Sequence, residues 1–345
     1  MDGLKRITVL YNTDYDAETG PTDEMSVEAS ARQLMSALVE AGFTVDMIGQ
    51  QGIEVLSVLD RLRANKPDLV FNLCESMAGD SRNEPTFVGL LDVFGIPYTG
   101  TDLLGLASCL HKRRAKDILL GCGIPTPPYK FLANLDALDD PAIDGFDYPW
   151  FVKLAHEDAS IGITEENFVT SPAALRRRAR DLMIEFDQAV LAERYIDGRE
   201  LNVALIGTGD TAEILPVHEI DFSAMPGDRP KIVSYAAKWE EGHVDYIGTR
   251  PVPLINATPE LVATVEHAAR GAYAAIGLRD YGRIDMRVDA NHVPWVIDVN
   301  PNPDISPDAG MSRAARKAGL SYPQLIAKIA HTAYDRVQRA RLKHS

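Results

Sequence analysis

Short apolar runs alternate with stretches of helical spacing over the first hundred residues. The runs "RITVLYN" (6–12), "FTVDMI" (43–48) and "PDLVFNLCE" (67–75) predict buried strands. Between them, "DEMSVEASARQLMSALVEAG" (23–42) and "IEVLSVLDRLRA" (53–64) have the apolar spacing of helices, and Gly42 is a typical C-cap. A further helix is predicted around residues 86–95. Strands separated by helices indicate a parallel sheet in an open α/β domain.

A dinucleotide-binding domain is the nearest rival for this pattern. Such a domain would carry G-x-G-x-x-G directly after its first strand, and the sequence has none there. We therefore set the dinucleotide fold aside.

The remainder of the chain predicts two further units. "LASCLHKRRAKDILLGCG" (106–123) predicts one helix, and strands at 148–155 and 189–196 enclose a polar loop (156–164) and a helix (171–186). From residue 198 the pattern becomes mostly antiparallel strand, interrupted by a polar stretch (223–249) long enough to be a functional loop. A helix capped by Thr258 and a terminal amphipathic helix surround the last hairpin. We expect domains at 1–102, 103–197 and 198–345.

The last hairpin, "RIDMRVDANHVPWVIDVNPNPD" (283–304), has polar residues at alternate positions. Arg283, Asp285 and Arg287 share one face of the first strand. The returning strand projects Asp298 and Asn300 together, opposite an apolar set of Trp295, Ile297 and Val299. Two carboxylates and an amide are the ligands that Mg²⁺ prefers, although a solvated hairpin with cross-strand ion pairs would show the same pattern. Two prolines that end the ladder after Asn300 favour the metal site.

Composition and charge narrow the classes of function. The 345 residues suggest two or three domains, and the formal net charge of −15 argues against nucleic acid, which requires a basic surface. Any phosphate must therefore be held by a few local cations. The three cysteines show no paired spacing, and the sequence shows no signal peptide and no membrane span, so we expect a cytoplasmic protein with reduced thiols.

Three charged residues outside the hairpin are candidates for ligand binding. Lys153 ends an apolar strand before the polar loop and could bind phosphate, although a snorkelling surface lysine is at least as common. Lys112 lies in "HKRRAK", most of which we interpret as a solvated helix face. Glu193 lies among apolar strand residues, where it could accept hydrogen bonds from a ligand or form a structural ion pair with an arginine.

The order of these pieces resembles the ATP-grasp superfamily, and most closely its D-alanine–D-alanine ligase branch. The resemblance runs from about residue 67 to the end. It rests on "GIPYTG", "HKRRAK", "GIPTPPY", "FVKLAHEDASIGI", "LAERYIDGREL", "YAAKW", "GRIDMRVD" and "DVNPNPDISPDAGMSRAARKAGLSY". It implies a three-domain α/β fold: an N-terminal open parallel sheet, then a central and a C-terminal ATP-grasp subdomain with ATP between them.

The resemblance also implies roles for individual residues. Arg283 would stabilise the oxyanion formed when an amine attacks an acyl phosphate, and Lys238 would act beside it. The residues implied to contact ATP are Lys112, Lys153, Ser160, Glu193, Arg194, Tyr195, Ile196 and Glu200. The residues implied to bind Mg²⁺, or alternatively Mn²⁺, are Asp285, Asp298 and Asn300. Phosphoryl transfer depends mainly on positioning and charge neutralisation, which such a set can supply.

The chain departs from the branch mainly where amino-acid substrates would bind. The branch carries Lys-Tyr in its mobile loop, whereas this chain has Lys238-Trp239, and Asp298 stands where Glu is common. Its glycine- and serine-rich phosphate loop is replaced by residues 157–160, Glu-Asp-Ala-Ser. The implied substrate contacts are Asp23, Trp239, Asp304 and Asp308, with Ala309 in place of a serine. The two added carboxylates predict a substrate with a positive group near this loop, unless Arg313 neutralises them.

These features predict an ATP-dependent carboxylate–amine ligase for amino-acid-like substrates other than two D-alanines. One alternative is an authentic D-alanine–D-alanine ligase with an unusual pocket. The alternative from another class is a catalytically inactive, ATP-binding regulatory protein, which the retained lysines, Arg283 and metal-type ligands disfavour. Small molecules are the expected partners, with no nucleic acid and no membrane; a homodimer is left open.

Overall fold

A parallel sheet forms the N-terminal part of the molecule, as the sequence predicts. The computed structural model describes residues 3–13, 21–157 and 160–344, without the side chains of 21–26, 210 and 343–344. Strands β1 (Arg6–Asn12), β2 (Thr44–Gln50) and β3 (Leu69–Leu73) pair in the order β2-β1-β3, all parallel. Helices α1 (Pro21–Glu40) and α2 (Val55–Asn65) make the crossovers, and α3 (Glu84–Val93) follows β3.

The second sheet is antiparallel and four-stranded. Helices α4 (Leu103–Leu110) and α5 (Lys112–Gly121) lead into it. Its strands are β4 (Tyr129–Leu132), β5 (Trp150–Leu154), β6 (Phe168–Val169) and β7 (Val190–Arg194), in the order β4-β7-β5-β6. Helix α6 (Pro172–Phe186) follows its N-cap, Ser171, whose side chain accepts a hydrogen bond from the Ala174 N–H. It packs its buried face on this sheet.

The third sheet is also antiparallel and carries the hairpin. Its strands are β8 (Arg199–Thr208), β9 (Glu213–Ile214), β10 (His218–Asp221), β11 (Arg250–Pro253), β12 (Arg279–Val288) and β13 (Pro294–Asn300). Five of them pair in the order β11-β10-β8-β12-β13, and β9 pairs with β8. Five helices within the described ranges accompany this sheet: the short helices α7 (Tyr235–Trp239) and α8 (Val244–Gly248), and the longer helices α9 (Pro259–Ile276), α10 (Gly310–Lys317) and α11 (Tyr322–His344).

The first and third sheets share one apolar core. Ile7 and Phe71 from the first sheet pack in the same cluster as Tyr281 from β12 and Ile329 from α11. Helix α9 covers the other face of the third sheet. We propose the ranges 1–102, 103–197 and 198–345 as the domains, each containing one of the three sheets.

The predicted helix at 106–123 is wrong in one respect, because the structure divides it at His111. The backbone of His111 leaves the helical region, with φ −97° and ψ 85°, so α4 ends at Leu110 and α5 begins at Lys112. The Lys112 N–H donates instead to the Ala155 carbonyl, at 3.2 Å. This break places Lys112 at the start of a new helix, beside the end of β5.

A bulge at Ile297 corrects the predicted faces of the returning strand. Asp285 pairs with Asp298, but Met286 pairs with Val296, so one extra residue stands between them. Pro294, Val296 and Val299 are therefore the buried residues of β13. The apolar set predicted from simple alternation, with Trp295 and Ile297 beside Val299, is wrong on this point.

The polar stretch at 223–249 is not entirely irregular. It contains the two single-turn helices α7 and α8, the first of which begins at Ser234, whose side chain caps the Ala237 N–H. We call residues 223–249 the lid segment.

None of the helices in the described ranges combines the length and apolar composition that crossing a membrane requires.

Gly198, in the turn between β7 and β8, provides a test of the packing between the turn and the hairpin. Its φ is +146°, and a Cβ added there would lie 2.0 Å from the Val288 carbonyl oxygen. We expect Gly198→Ala to lower the free energy of unfolding by at least about 2 kcal/mol, because both the backbone strain and the contact must be relieved. Urea unfolding measures this change.

Gly121, at the exposed end of α5, is the matched control. A Cβ there would meet nothing within 4 Å. Gly121→Ala should leave stability unchanged or raise it by about 0.5 kcal/mol. Equal effects of the two substitutions would contradict the close packing at Gly198.

Candidate active site

The buried carboxylate of Glu193 lies between two lysines where the second sheet meets the third. Lys116 Nζ is 2.7 Å from Glu193 Oε2, and Lys153 Nζ is 3.0 Å from Glu193 Oε1. All three side chains are buried. Burial acts to raise the pKa of Glu193, but the two ammonium groups outweigh it, so the pKa lies below its ordinary value. The structural partner of Glu193 is therefore a pair of lysines and not the arginine considered from the sequence.

Lys116 is a site residue that the sequence interpretation missed. Burial lowers its pKa to about 8, although Glu193 opposes this shift. Its Nζ also donates to Thr126 Oγ1, at 2.8 Å, and that hydroxyl donates to the Val296 carbonyl, at 2.7 Å. The helical spacing could have identified Lys116 as a buried residue. Residues 112, 115, 116 and 119 share one face of α5, and that face is buried. "HKRRAK" is thus only partly a solvated face.

Two lysines, Lys112 of helix α5 and Lys153 of strand β5, lie along strand β13. Lys153 Nζ donates to the Ile297 carbonyl, at 3.1 Å, and Lys112 Nζ lies 3.8 Å from Asp298 Oδ2. The Val296 N–H donates to the Pro125 carbonyl, at 2.8 Å. Burial tends to raise the pKa of Asp298, but Lys112 and Lys153 lower it below its ordinary value. Asp298 is therefore an ionised carboxylate facing two lysines.

The polar face of the hairpin forms one connected cluster. Arg283 donates from Nε and Nη2 to the two oxygens of Asp285, each at 2.7 Å. Asp285 also accepts from Asn202 Nδ2, at 2.7 Å, and from Asn300 Nδ2, at 3.0 Å. Burial tends to lower the pKa of Arg283, and Asp285 raises it above its ordinary value. Asn202, on the neighbouring strand β8, is the member that the sequence did not indicate.

The chemistry of this cluster fits a hard divalent cation. Asp285 and Asp298 are directly paired across the two strands, and Asn300 pairs with Arg283 on the same face. Within the described ranges, no group of three or more His, Cys, Asp and Glu residues is close enough to hold a metal. A cation here would therefore need the amide of Asn300 and oxygen atoms from outside the protein, a mixed set that suits Mg²⁺.

A second arginine organises the segment after β7. Arg287 donates from Nε to Glu200 Oε2, at 3.1 Å, and from Nη1 to the Ile196 carbonyl, at 2.9 Å. Its guanidinium lies 4.8 Å from the centre of the Tyr195 ring. Burial raises the pKa of Glu200, which Arg287 opposes. Arg194 is exposed, and its N–H donates to the Pro128 carbonyl, at 2.8 Å.

The lid segment lies against the polar loop between β5 and α6. Ser160 Oγ donates to the Val233 carbonyl, at 3.2 Å, and the Tyr235 N–H donates to the Ile163 carbonyl, at 2.9 Å. Arg229 of the lid lies 3.4 Å from Glu165 of the loop. Two residues of this loop, Asp158 and Ala159, lie outside the described ranges. These contacts close the lid segment over the loop.

Lys238 and Trp239 end helix α7 of the lid segment. Lys238 is an exposed residue, and desolvation of its ammonium lowers its pKa, as does Arg283. Asp285 and Asp298 act on it in the opposite direction. Trp239 is 58% exposed, and its ring centre lies 6.4 Å from that of Tyr235. Lys238 is therefore within electrostatic range of the hairpin cluster, and Trp239 presents a large open surface.

The predicted substrate residues Asp304 and Asp308 lie on the loop after β13. Asp304 is exposed, and its Oδ1 accepts from the N–H and the hydroxyl of Ser306, at 2.8 and 2.6 Å. Arg313 donates to the backbone carbonyl of Asp308. Burial lowers the pKa of Arg313, as do Arg316 and Arg283, while Asp304 and Asp308 oppose this. The two carboxylates therefore share the loop with a guanidinium.

Asp23, the other predicted substrate residue, lies in helix α1. Its side chain is outside the described part of the structure, so its position relative to the hairpin stays a prediction.

Comparisons with known proteins agree on one family. A family model described as "D-ala D-ala ligase C-terminus" matches residues 118–331. The uncharacterised protein y4sG of Sinorhizobium fredii is 30% identical over 89% of this chain and 88% of its own length. A D-alanine–D-alanine ligase of Bordetella pertussis is 32% identical over 74% of this chain and 75% of its own.

The fold agrees with a solved structure as well. The D-alanine–D-alanine ligase of Bacillus anthracis, complexed with ATP, aligns with a TM-score of 0.76 at 20% identity. The alignment covers 98% of this chain and 100% of that chain. The three-sheet arrangement is therefore the fold of that enzyme.

Removing one partner of the buried ion pair of Lys116 and Glu193 should destabilise the protein. Lys116→Met should lower the free energy of unfolding by about 3–5 kcal/mol, because it leaves a buried carboxylate with one counterion fewer. The double variant Lys116→Met/Glu193→Gln should lose less than the sum of the single losses. Urea unfolding of the four proteins measures the coupling.

Lys130, which pairs with Asp140 on the surface of the same unit, is the control. Lys130→Met should have no measurable effect, since exposed pairs contribute little. Additive losses in the Lys116 and Glu193 variants would show that the buried pair is not coupled.

Proposed function

This chain belongs to the D-alanine–D-alanine ligase family of ATP-grasp enzymes, and we propose that it joins a carboxylate to an amine at the expense of ATP, through an acyl phosphate. ATP and Mg²⁺ are the cofactors of this family. The observation that carries the proposal is the polar hairpin face, with Arg283, Asp285, Asp298 and Asn300. It lies next to two lysines, one from helix α5 and one from strand β5. Its local cations can hold phosphate in a chain whose net charge is −15.

The proposed reaction has two steps. A carboxylate oxygen of the first substrate bonds to the γ-phosphorus of ATP, and the bond to the β-phosphate breaks, releasing ADP. The amine nitrogen of the second substrate then bonds to the acyl carbon, loses a proton, and expels inorganic phosphate. Both steps build up negative charge on oxygen, so preorganised cations are the main catalytic requirement.

The nucleotide would lie between the second and third sheets. Lys112 and Lys153, which already face Asp298 and the carbonyl before it, would contact phosphate oxygens. The backbone of residues 194–196 would receive the adenine, and Glu200 the ribose. Glu193 would also contact the adenine, through the carboxylate that Lys116 and Lys153 keep ionised.

The hairpin would provide the metal ligands and the oxyanion contact. Asp285, Asp298 and Asn300 would hold Mg²⁺, which neutralises phosphate charge when bound. Arg283, whose guanidinium is oriented by both oxygens of Asp285, would stabilise the oxyanion of the second step. Lys238 would add a cation from the lid segment.

The residues of the amino-acid half of the site are the reason for proposing substrates other than two D-alanines. Trp239 occupies the lid position where the family has tyrosine, and Ala309 caps helix α10 without a side-chain hydrogen bond. Asp304 and Asp308 add two carboxylates beside Arg313. We infer a substrate that carries charged groups of both signs at this loop, and a cytoplasmic location, where ATP is available.

Phosphate release from Mg-ATP, measured against a panel of amino acids, tests the activity. The panel should contain D-alanine, L-alanine, acidic amino acids and basic amino acids. We expect release that depends on amino acid and is abolished by excess chelator, with a substrate other than D-alanine preferred. Asp298→Asn should remove most of this release and preserve the thermal unfolding profile.

Two other outcomes of the phosphate-release assay would indicate a different function. A preference for D-alanine alone, unchanged in an Asp304→Gly/Asp308→Asn variant, would identify an authentic D-alanine–D-alanine ligase, an activity carried by the Bordetella relative. Nucleotide binding without turnover on any amino acid would favour a regulatory ATP-binding protein.

Arg283→Ala should lower kcat far more than it weakens nucleotide binding. A preorganised cation at a developing oxyanion contributes about 2.7–4 kcal/mol, which is roughly a 10²–10³-fold change in rate. Steady-state kinetics and calorimetric titration with an ATP analogue separate the two quantities. Asn202→Ala, which removes a different donor to Asp285, should reduce kcat less. Equal losses of rate and nucleotide affinity on Arg283→Ala would instead assign Arg283 a structural role.

A further inference from the structure

Arg287 is a buried arginine that contacts three separate segments at the nucleotide side of the site. We propose that Arg287 is a positioning residue that couples closure of the lid segment to occupation of the nucleotide site. This inference rests on the proposed function, because it takes residues 194–196 and Glu200 as the adenine and ribose contacts.

The first contact ties Arg287 to the ribose carboxylate. Arg287 on β12 and Glu200 on β8 are directly paired across the two strands. Their side chains form a buried ion pair, with Arg287 Nε 3.1 Å from Glu200 Oε2. The guanidinium therefore fixes one oxygen of Glu200 and orients the carboxylate.

The second contact fixes the segment that would receive the adenine. Arg287 Nη1 donates to the Ile196 carbonyl, at 2.9 Å, and the guanidinium carbon lies 4.8 Å from the centre of the Tyr195 ring. A guanidinium over an aromatic face is favourable when it is shielded from water. Because Tyr195 and Ile196 belong to an irregular connection between β7 and β8, these contacts define its conformation.

The third contact reaches the lid segment. Arg287 Nη2 donates to the Lys231 carbonyl, at 2.6 Å, and Tyr195 Oη donates to the same carbonyl, at 3.1 Å. The ring centre of Phe222, directly before the lid segment, lies 5.7 Å from the guanidinium carbon of Arg287. One carbonyl of the lid therefore depends on both Arg287 and the adenine segment.

The geometry requires an arginine at this position. The planar guanidinium directs donors to Glu200, Ile196 and Lys231 at the same time, whereas the single ammonium of a lysine cannot reach all three. Arg287 is only 4% exposed, so water does not replace a lost contact readily. A ligand that fixes Tyr195, Ile196 and Glu200 should consequently fix Lys231 through the same guanidinium.

Hydrogen exchange of the lid segment tests the coupling. In the wild type, saturating Mg²⁺ and the non-hydrolysable ATP analogue AMP-PNP should slow amide exchange at residues 223–249 by at least about tenfold, since each hydrogen bond to a charged group contributes a factor of about 10–100. In Arg287→Lys and Arg287→Met the nucleotide should slow exchange less than about threefold. The nucleotide concentration is set from each variant's own Kd, so occupancy is equal.

Two substitutions of Arg287 are compared, so that loss of coupling can be distinguished from loss of folding. Arg287→Met leaves Glu200 buried without a counterion and can fail to fold. Arg287→Lys keeps the charge beside Glu200 and loses only the forked geometry, so its cooperative urea unfolding should be preserved. The Kd for AMP-PNP should rise about 10–100-fold in Arg287→Lys, from the loss of two carbonyl contacts and the orientation of Glu200.

Arg199 provides a matched control on the same sheet. Its guanidinium also pairs with a glutamate, Glu219, and donates to a backbone carbonyl, that of Ile255, at 2.7 Å. Arg199→Met should leave the nucleotide-dependent protection of the lid segment and the Kd unchanged within about twofold, because these contacts reach neither the adenine segment nor the lid.

The possible failures are distinguishable. If the wild type binds no nucleotide, the proposed function is wrong and this inference falls with it. If the wild type binds AMP-PNP and protects the lid segment, but both Arg287 variants keep that protection, the inference is wrong and the proposed function stands. Loss of protection in Arg199→Met as well would also overturn it, by showing a general effect of arginine removal on the sheet.

Discussion

The ion pair of Glu193 with Lys116 and Lys153 is the interaction on which the site depends. A buried carboxylate is stable only when charged partners compensate it, so helix α5 and strands β5 and β7 must keep these side chains together. The same lysines reach strand β13, Lys153 directly and Lys116 through the Thr126 hydroxyl. Neutralising one carboxylate in the second sheet therefore also sets the position of the strand that carries Asp298.

Charge is distributed very unevenly in this molecule. The chain as a whole has a net charge of −15, yet lysines and arginines gather at the meeting of the second and third sheets. Each has an acidic neighbour: Lys112 faces Asp298, Arg283 holds Asp285, and Arg287 holds Glu200. Such pairs keep the cations oriented before a ligand arrives, and the acidic surroundings discourage anions elsewhere on the surface.

The sequence predicted those features that depend on local pattern. The parallel N-terminal sheet, the capped helices and the polar face of the hairpin follow from spacing within single segments. The break at His111 could not be predicted, because it accompanies a hydrogen bond from the Lys112 N–H to the Ala155 carbonyl, in a distant segment. The bulge at Ile297 could not be predicted from simple alternation, because it adds one residue to β13 that has no partner on β12. Lys116 was missed for a related reason: a lysine within a basic run appears solvated until its buried carboxylate partner is known.

The two proposed halves of the site rest on different kinds of structure, which is consistent with where the chain departs from its family. The proposed nucleotide half includes residues of paired strands, so a change at Glu200 or Asp285 disturbs a partner across the sheet, Arg287 or Asn202. The proposed amino-acid half comprises the lid segment and the loop after β13. There the Asp304 carboxylate accepts two hydrogen bonds from Ser306, two residues away, within a local turn. Residues in such turns can be replaced without moving the sheet, so substrate preference can change while the machinery for phosphoryl transfer is retained.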